Sequence, residues 1–474
     1  MTRTGTAAGD AAAHRLALLG SILVRQATAC LLVMAAASFL LLNRLGDVRA
    51  PIWDEAYYLP STARYHEGQV QFASHPPLGL MLIAAGDGLY GGNAGIDQRA
   101  IAAVKSIPAE AMPADYDYLG PRLAPALFGV IGAGLFFLLM LQLTGSTGAA
   151  LMLSTLYLCD TALLGQFRAA HIDPFQTSFA LAALLCAIRG LKCPAAANAA
   201  GFGFLVACTA LVRATGIMLA PMGLFLLWPL LRKRRWTVAI RSTLAGGGGA
   251  VMAFVLVAVA HAWASPRLPD PATEAGRGDM AYLSPQIRAA GSIDPLDPMA
   301  VARMTADYAR FIASDHSAMA RADANGSHPW QWLIGSGAIT YRWDAGDTHV
   351  ATVAFLPNRA AWLLSCAGVL LGLVALRRRP SAEGAMLLTG WIASMAALII
   401  LDRERVLYPY AYLPSLMIGY ALLARAWRAS EPAESIARVG VAAVTLAFLV
   451  TAPLVYHWDV PRGYCQILLR ECGK

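Results

Sequence analysis

Apolar runs of membrane-spanning length recur along the whole chain, and this repetition limits the fold more than any single motif does. A helix rises 1.5 Å per residue, so roughly 20 apolar residues are needed to cross a hydrocarbon core about 30 Å thick. Runs near that length lie at 26–43, 122–143, 147–166, 174–190, 197–212, 215–231, 239–262, 359–376, 384–401, 408–424 and 438–456. The 474 residues are 57% hydrophobic and only 14% charged, whereas a soluble domain carries about 25% charged residues. Lipid offers a backbone no water to bond with, so runs of this length span as helices. They predict an all-α integral membrane protein with about eleven transmembrane helices, forming a single domain over 1–474.

The basic residues orient this bundle. They form short clusters between apolar runs: Arg189 with Lys192, Arg232 to Arg235, Arg377 to Arg379, and Arg425 with Arg428. Connections rich in Lys and Arg stay cytoplasmic, and a cytoplasmic N-terminus puts all four clusters inside. The net charge of +8 is therefore spread over short connections rather than gathered on one soluble face, which argues against a nucleic-acid partner. Arg3, Arg15 and Arg25 make a basic stretch long for a signal peptide, so the first run is expected to be an uncleaved anchor.

The run from Pro76 to Tyr90 is short and contains Asp87, and a crossing there would move every later basic cluster outside. It is expected to form a juxtamembrane or re-entrant helix within a first outer loop, 44–121. A second outer loop covers 263–358. No internal repeat is visible, which weighs against a secondary transporter built from inverted repeats. Six of the eight cysteines lie within or beside apolar runs with no CxxC pair, as inert buried thiols do. Cys465 and Cys472 fall in the outer tail, where an oxidising compartment favours a disulfide. On a straight helix they would stand about 10 Å apart, so a bond requires a turn between them.

The residues suited to chemistry gather at the outer ends of the spans. Trp53-Asp54-Glu55-Ala56-Tyr57-Tyr58 follows the first span, and Ser74-His75-Pro76-Pro77-Leu78-Gly79 comes about twenty residues later. A carboxylate here could act as general base on a hydroxyl while aromatic rings stack on a sugar; equally, Asp54 could cap a short helix. Arg122, Arg168, Asp173, Arg213, Arg403 and Arg405 lie on the same face. Ionisable groups beside spans pair or face a cavity, and guanidinium groups suit a phosphate. The competing reading for each arginine is snorkelling to the headgroups. Asp173 before Pro174 also reads as a helix start. Asp54 and Asp173 together could hold a divalent cation, a question left open; no cofactor is required by the sequence. Trp330 and Trp332 fit a substrate groove or an aromatic belt equally well.

Taken in order, these segments resemble the protein O-mannosyltransferases, membrane enzymes of the GT-C type in glycosyltransferase family 39. The resemblance rests on WDEAYY and HPPLG, then Gly120-Pro121-Arg122-Leu123-Ala124-Pro125-Ala126-Leu127-Phe128-Gly129, then Arg168 with Asp173-Pro174. It continues through Ser327-His328-Pro329-Trp330-Gln331-Trp332 and the segment from Arg405 to Pro414. Leu80 stands where the family's HPPLGK motif has lysine, and the second loop is too short for the added lumenal domain of eukaryotic members; both imply a bacterial branch. The resemblance implies a GT-C helical bundle that moves mannose from a polyprenyl-phosphate donor to a Ser/Thr hydroxyl of exported protein, with inversion. It implies Asp54 as base, with Glu55 supporting acceptor or sugar placement. Arg405, Arg122 and Arg168 would stabilise the departing lipid phosphate, and His75, Asp173, Trp330 and Trp332 would contact substrate. The prenyl tail would lie between spans, in a bacterial inner membrane with the site on the periplasmic face. Lipid A aminoarabinose transferases share the acidic turn but typically carry Lys before the Pro-Pro pair. A lipid or envelope-glycan acceptor is thus the alternative, which His75 disfavours.

Overall fold

Every one of the expected apolar runs is helical in the computed structural model, which describes residues 4–318, 323–469 and 472. Eight helical segments are long and apolar enough to cross a membrane: Gly20–Leu42, Leu119–Thr144, Asp173–Lys192, Ala214–Arg232, Trp236–Ala264, Arg359–Arg378, Ala382–Leu401 and Glu431–Leu454. Thr147–Leu158 and Thr161–Phe167 make a ninth if counted as one span bent by 62°. The bend has a local cause, since the Asp160 side chain accepts from the Ala162 amide and starts a new helix. Two expected spans fall short of crossing length among the described residues, Ala196–Val212 and Leu413–Trp427. The second is almost wholly buried in protein, so a match to bilayer thickness is not imposed on it.

The helices used below are α1 (Thr4–Leu42), α2 (Glu55–His66), α3 (Pro77–Tyr90) and α4 (Leu119–Thr144). They continue with α5 (Thr147–Leu158), α6 (Thr161–Phe167), α7 (Asp173–Lys192) and α8 (Ala196–Val212). In the chain α3 lies between α2 and α4, and it packs on α4. It begins with Pro77 in its first turn and stops at Gly91, whose φ of 76° suits glycine. Its buried Asp87 accepts from Asn93 at 2.8 Å and contacts His66 Nε2 at 2.9 Å. Gly79 is required by packing, because a Cβ there would stand 2.7 Å from the Ile172 side chain.

The second outer loop folds back over the first. Leu283, Ile287, Met304 and Tyr308 close around Val70 and Phe72, forming a small apolar core above the bundle. One element departs from the all-α reading. Strands β1 (Ile339–Ala345), β2 (His349–Phe355) and β3 (Asp459–Pro461) make an antiparallel sheet in the order β1-β2-β3. Ile339 pairs with Phe355, and the register shifts between Thr340 and Arg342, leaving Tyr341 as a bulge. In the tail, the helix Arg462–Leu468 ends before Cys472, and the chain turns back to join Cys465 and Cys472 in a disulfide with Cα atoms 5.6 Å apart.

Candidate active site

The acidic turn is built around a strained tryptophan. Trp53 has φ of 50°, in the left-handed region that non-glycine residues avoid, at a typical cost of about 1–3 kcal/mol. Its ring stacks on Tyr341 at 5.3 Å and meets Tyr408 edge-on at 5.9 Å, contacts that offset this strain. The bulge in β1 is what delivers Tyr341 to Trp53. From this turn α2 begins, and successive residues on a helix point about 100° apart. Asp54 and Glu55 therefore face different surroundings.

Glu55 faces protein. It is wholly buried and paired with Arg122 through two bonds, Nε to Oε1 at 2.8 Å and Nη2 to Oε2 at 2.7 Å. The backbone amides of Ile52 and Ala170 donate to the same carboxylate at 2.8 and 2.6 Å. Burial alone would raise its pKa, but Arg122 outweighs it and holds the carboxyl below the usual glutamate value. Arg122, equally buried, also donates to the carbonyls of Val48 and Ala50 at 2.7 and 2.8 Å. These two residues staple the loop preceding the site. The expectations that Glu55 places a sugar or acceptor and that Arg122 meets the phosphate are both corrected, because neither side chain has an exposed surface.

Asp54 faces a cavity of about 490 Å³ whose wall includes Tyr58, His75, Arg213, Arg405 and Tyr410. It occupies the cap position of α2 yet makes no side-chain capping bond, so the cap reading fails. Tyr410 Oη donates to it at 3.4 Å. Burial pushes its carboxyl above the usual aspartate value, against the pull of His171 and Arg213. A raised pKa makes a carboxylate the stronger proton acceptor.

Opposite this acid stand two arginines. Arg213, at the end of α8, forms an ion pair with Asp173 at 2.9 Å and lies 5.0 Å from the Tyr410 ring centre. Asp173, expected to contact substrate, is buried; it accepts from Gln166 at 2.6 Å and from Arg213, so it positions Arg213 instead. Among the described residues, no group of three His, Cys, Asp or Glu could hold a metal. Arg405 contrasts with Arg213. Its one hydrogen bond among the described residues is a long contact to the Val406 carbonyl, 3.5 Å, and burial together with Arg213 lowers its pKa. A half-buried guanidinium without a carboxylate is a receptor for an anion.

The remaining expected residues divide. His75 lines the cavity, and its carbonyl accepts from Tyr308 Oη at 2.9 Å. Leu80, where the family has lysine, is fully buried. Arg168 is elsewhere: it donates to the carbonyls of Leu40, Leu41 and Asn43, capping the end of α1. Trp332 is fully buried and bonds Ser327 Oγ at 2.8 Å, a core residue rather than a groove. Trp330 is exposed and stacks on His328 at 4.2 Å, outside the cavity wall. Sequence reasoning assigned no role to Arg213, Tyr58, Tyr341 or Tyr410. Only the charge of Arg213 at a span end and the YPY run of the late motif hinted at them.

Residues 29–264 match the family model of the dolichyl-phosphate-mannose-protein mannosyltransferases. The polyprenol-phosphate-mannose–protein mannosyltransferase of Mycobacterium tuberculosis is 26% identical over 159 residues, 32% of this chain and 26% of that protein. Its counterpart in Mycolicibacterium smegmatis is 29% identical over 167 residues, 34% of this chain and 28% of that one. The matched region is thus roughly a quarter of those relatives' length. The fold matches a chain of the S. cerevisiae protein O-mannosyltransferase Pmt1–Pmt2 complex bound to the sugar donor, with a TM-score of 0.75, 12% identity, and 93% and 91% of the two chains covered. ArnT from Cupriavidus metallidurans matches with a TM-score of 0.50 and 15% identity, covering 94% of this chain and 67% of that one. The chain is a multi-helix membrane protein of GT-C fold, and its residues 29–264 match the dolichyl-phosphate-mannose-protein mannosyltransferase family.

Proposed function

We propose that this protein is a membrane glycosyltransferase that moves mannose from a polyprenyl-phosphate donor to a Ser or Thr hydroxyl of exported protein. The observation that carries this reading is one cavity lined by Asp54, the acid of the WDE turn, together with Arg405, an arginine with no ion-paired carboxylate among the described residues. In the reaction, the acceptor oxygen attacks the anomeric carbon from the face opposite the phosphate. Asp54 takes the hydroxyl proton, the bond between that carbon and the phosphate oxygen breaks, and the polyprenyl phosphate leaves with the electron pair. Arg405 and Arg213 stabilise the charge gathering on the leaving oxygens. A single displacement of this kind inverts the anomeric configuration. The site belongs, in this reading, to the periplasmic face of a bacterial inner membrane, and the prenyl tail lies between spans.

The test is incubation of the purified protein in lipid with labelled polyprenyl-phosphate-mannose and either a Ser/Thr peptide or a lipid acceptor. Label transferred to peptide supports the proposal. Transfer to lipid alone reassigns the acceptor to an envelope glycolipid, and transfer to neither rejects the enzyme reading.

A further inference from the structure

A second cavity, of about 330 Å³, shares no residue with the one containing Asp54. Its wall is the loop following α1, the turn at Arg168 and the segment from Val455 to His457. Three arginines line it, Arg44, Arg49 and Arg168, against one acid, Asp47. Asp47 is already paired with Arg44. Arg49 is exposed and has no hydrogen bond or ion pair among the described residues. Arg168 is committed to backbone carbonyls and lies 4.6 Å from the Tyr456 ring centre, with no carboxylate bonded to it. Burial pushes its guanidinium down to about 10, which an anion in the cavity would reverse.

The surroundings specify what kind of anion. α1, which leads into the loop of this cavity, exposes Leu31, Leu32 and Phe39 along its length. The end of α1 is tied to the cavity, since the carbonyls of Leu40 and Leu41 accept from Arg168. Only 17% of the apolar window of α1 is buried by protein, so this helix borders lipid. Tyr456 and Trp458 stack at 5.6 Å beside the cavity, as amphipathic rings do at a bilayer interface. A basic cavity at the end of a lipid-facing helix matches a phosphate head with a chain attached.

We propose that this cavity binds an anionic phospholipid of the surrounding bilayer, with its phosphate among Arg44, Arg49 and Arg168 and one acyl chain along the exposed face of α1. Guanidinium groups donate in pairs to phosphate oxygens, and a zwitterionic lipid would set its ammonium against the same three arginines. The occupant is a bilayer lipid rather than the sugar donor, because the acid in the wall, Asp47, is ion-paired with Arg44 and its histidine, His457, is bonded to Asp344. The site stands independently of the transfer reaction proposed above.

Native mass spectrometry of the purified protein, with phosphatidylglycerol, phosphatidylcholine or polyprenyl phosphate added, tests it. The wild type is expected to retain phosphatidylglycerol well over phosphatidylcholine. Each charge removed near a lipid surface weakens binding about fivefold, so Arg49→Gln should lose about fivefold and Arg49→Glu about 30-fold, while Arg49→Lys keeps most of it. Arg49 touches nothing that holds the fold, and unchanged melting of both variants without added lipid confirms that the loss is one of binding. Equal retention by Arg49→Glu, or equal uptake of phosphatidylcholine, overturns the proposal. Displacement of phosphatidylglycerol by equimolar polyprenyl phosphate also overturns it, assigning the cavity to a prenyl lipid.

Discussion

The two sides of the acidic turn use the same chemistry for opposite purposes. On one side Glu55 meets Arg122 in a dry, fully bonded pair, and every polar atom of the carboxylate is answered by a guanidinium or a backbone amide. On the other, Asp54 meets only tyrosine hydroxyls among the described residues, with Tyr410 Oη at 3.4 Å, and lines the same cavity as Arg405. A buried pair of the first kind gains geometry rather than reactivity, since each partner cancels the other's charge. The loose side keeps its charges uncompensated, which is what a transition state with moving charge needs. In the proposed reaction the closed half holds the strained Trp53 turn in place and the open half supplies the base.

Substitutions can break this contrast. Asp54→Asn keeps the shape and removes the base; turnover should fall by about 10²–10⁴ with thermal unfolding unchanged. A fully active Asp54→Asn would show that the open side is not catalytic. Glu55→Gln should act through the fold instead. Leaving Arg122 as an unpaired buried charge costs about 3–5 kcal/mol, read as a lower melting temperature in detergent, and the double change Glu55→Gln with Arg122→Met should recover part of it. A Glu55→Gln protein that melts normally but does not turn over would exchange the roles of the two acids.

Arg405→Ala should weaken donor affinity by about 2–5 kcal/mol without loss of stability, since the side chain has no strong partner to lose. Arg405→Lys should rescue only in part, lacking the fork that meets two phosphate oxygens. Wild-type donor affinity in Arg405→Ala would make it a snorkelling residue.

The mildest test uses pH. Asp54 must be ionised to accept a proton, and its pKa lies above the ordinary value of about 3.9. The acid limb of kcat/KM should therefore fall at a higher pH than that. Glu55 has the opposite sign. Its depressed pKa contributes stability that is complete above the unfolded value, about 4.3, and is lost as pH falls through the lower folded value. Activity should thus fail at a higher pH than the Glu55 contribution to melting does; coincident profiles would erase the distinction.

Much of this was legible in the chain itself. Length and spacing of apolar runs specify a helical membrane bundle because lipid permits few alternatives, and the basic clusters orient it. The order of WDE, HPPLG, the Arg122 segment and the Arg405 segment pointed to the family, and Asp54 and Arg405 both line one cavity. The misassigned residues share one cause. Arg122, Arg168, Asp173 and Trp332 were read from type and position, but an arginine that binds phosphate and one that caps carbonyls look alike in sequence. Which of them a side chain does depends on the partners that distant segments supply.

Sequence by itself determined the solvent, the class of fold and the adjacency of two acids, because these follow from hydropathy and local spacing. Only the tertiary structure decided which acid is free. Arg122 comes from α4 to neutralise Glu55, and Tyr341 arrives from a bulged strand to hold Trp53. Asp173 and Arg213 meet across the ends of α7 and α8 to complete the far wall. No local pattern encodes these meetings, since each depends on long-range packing that sets the burial and charge around a side chain.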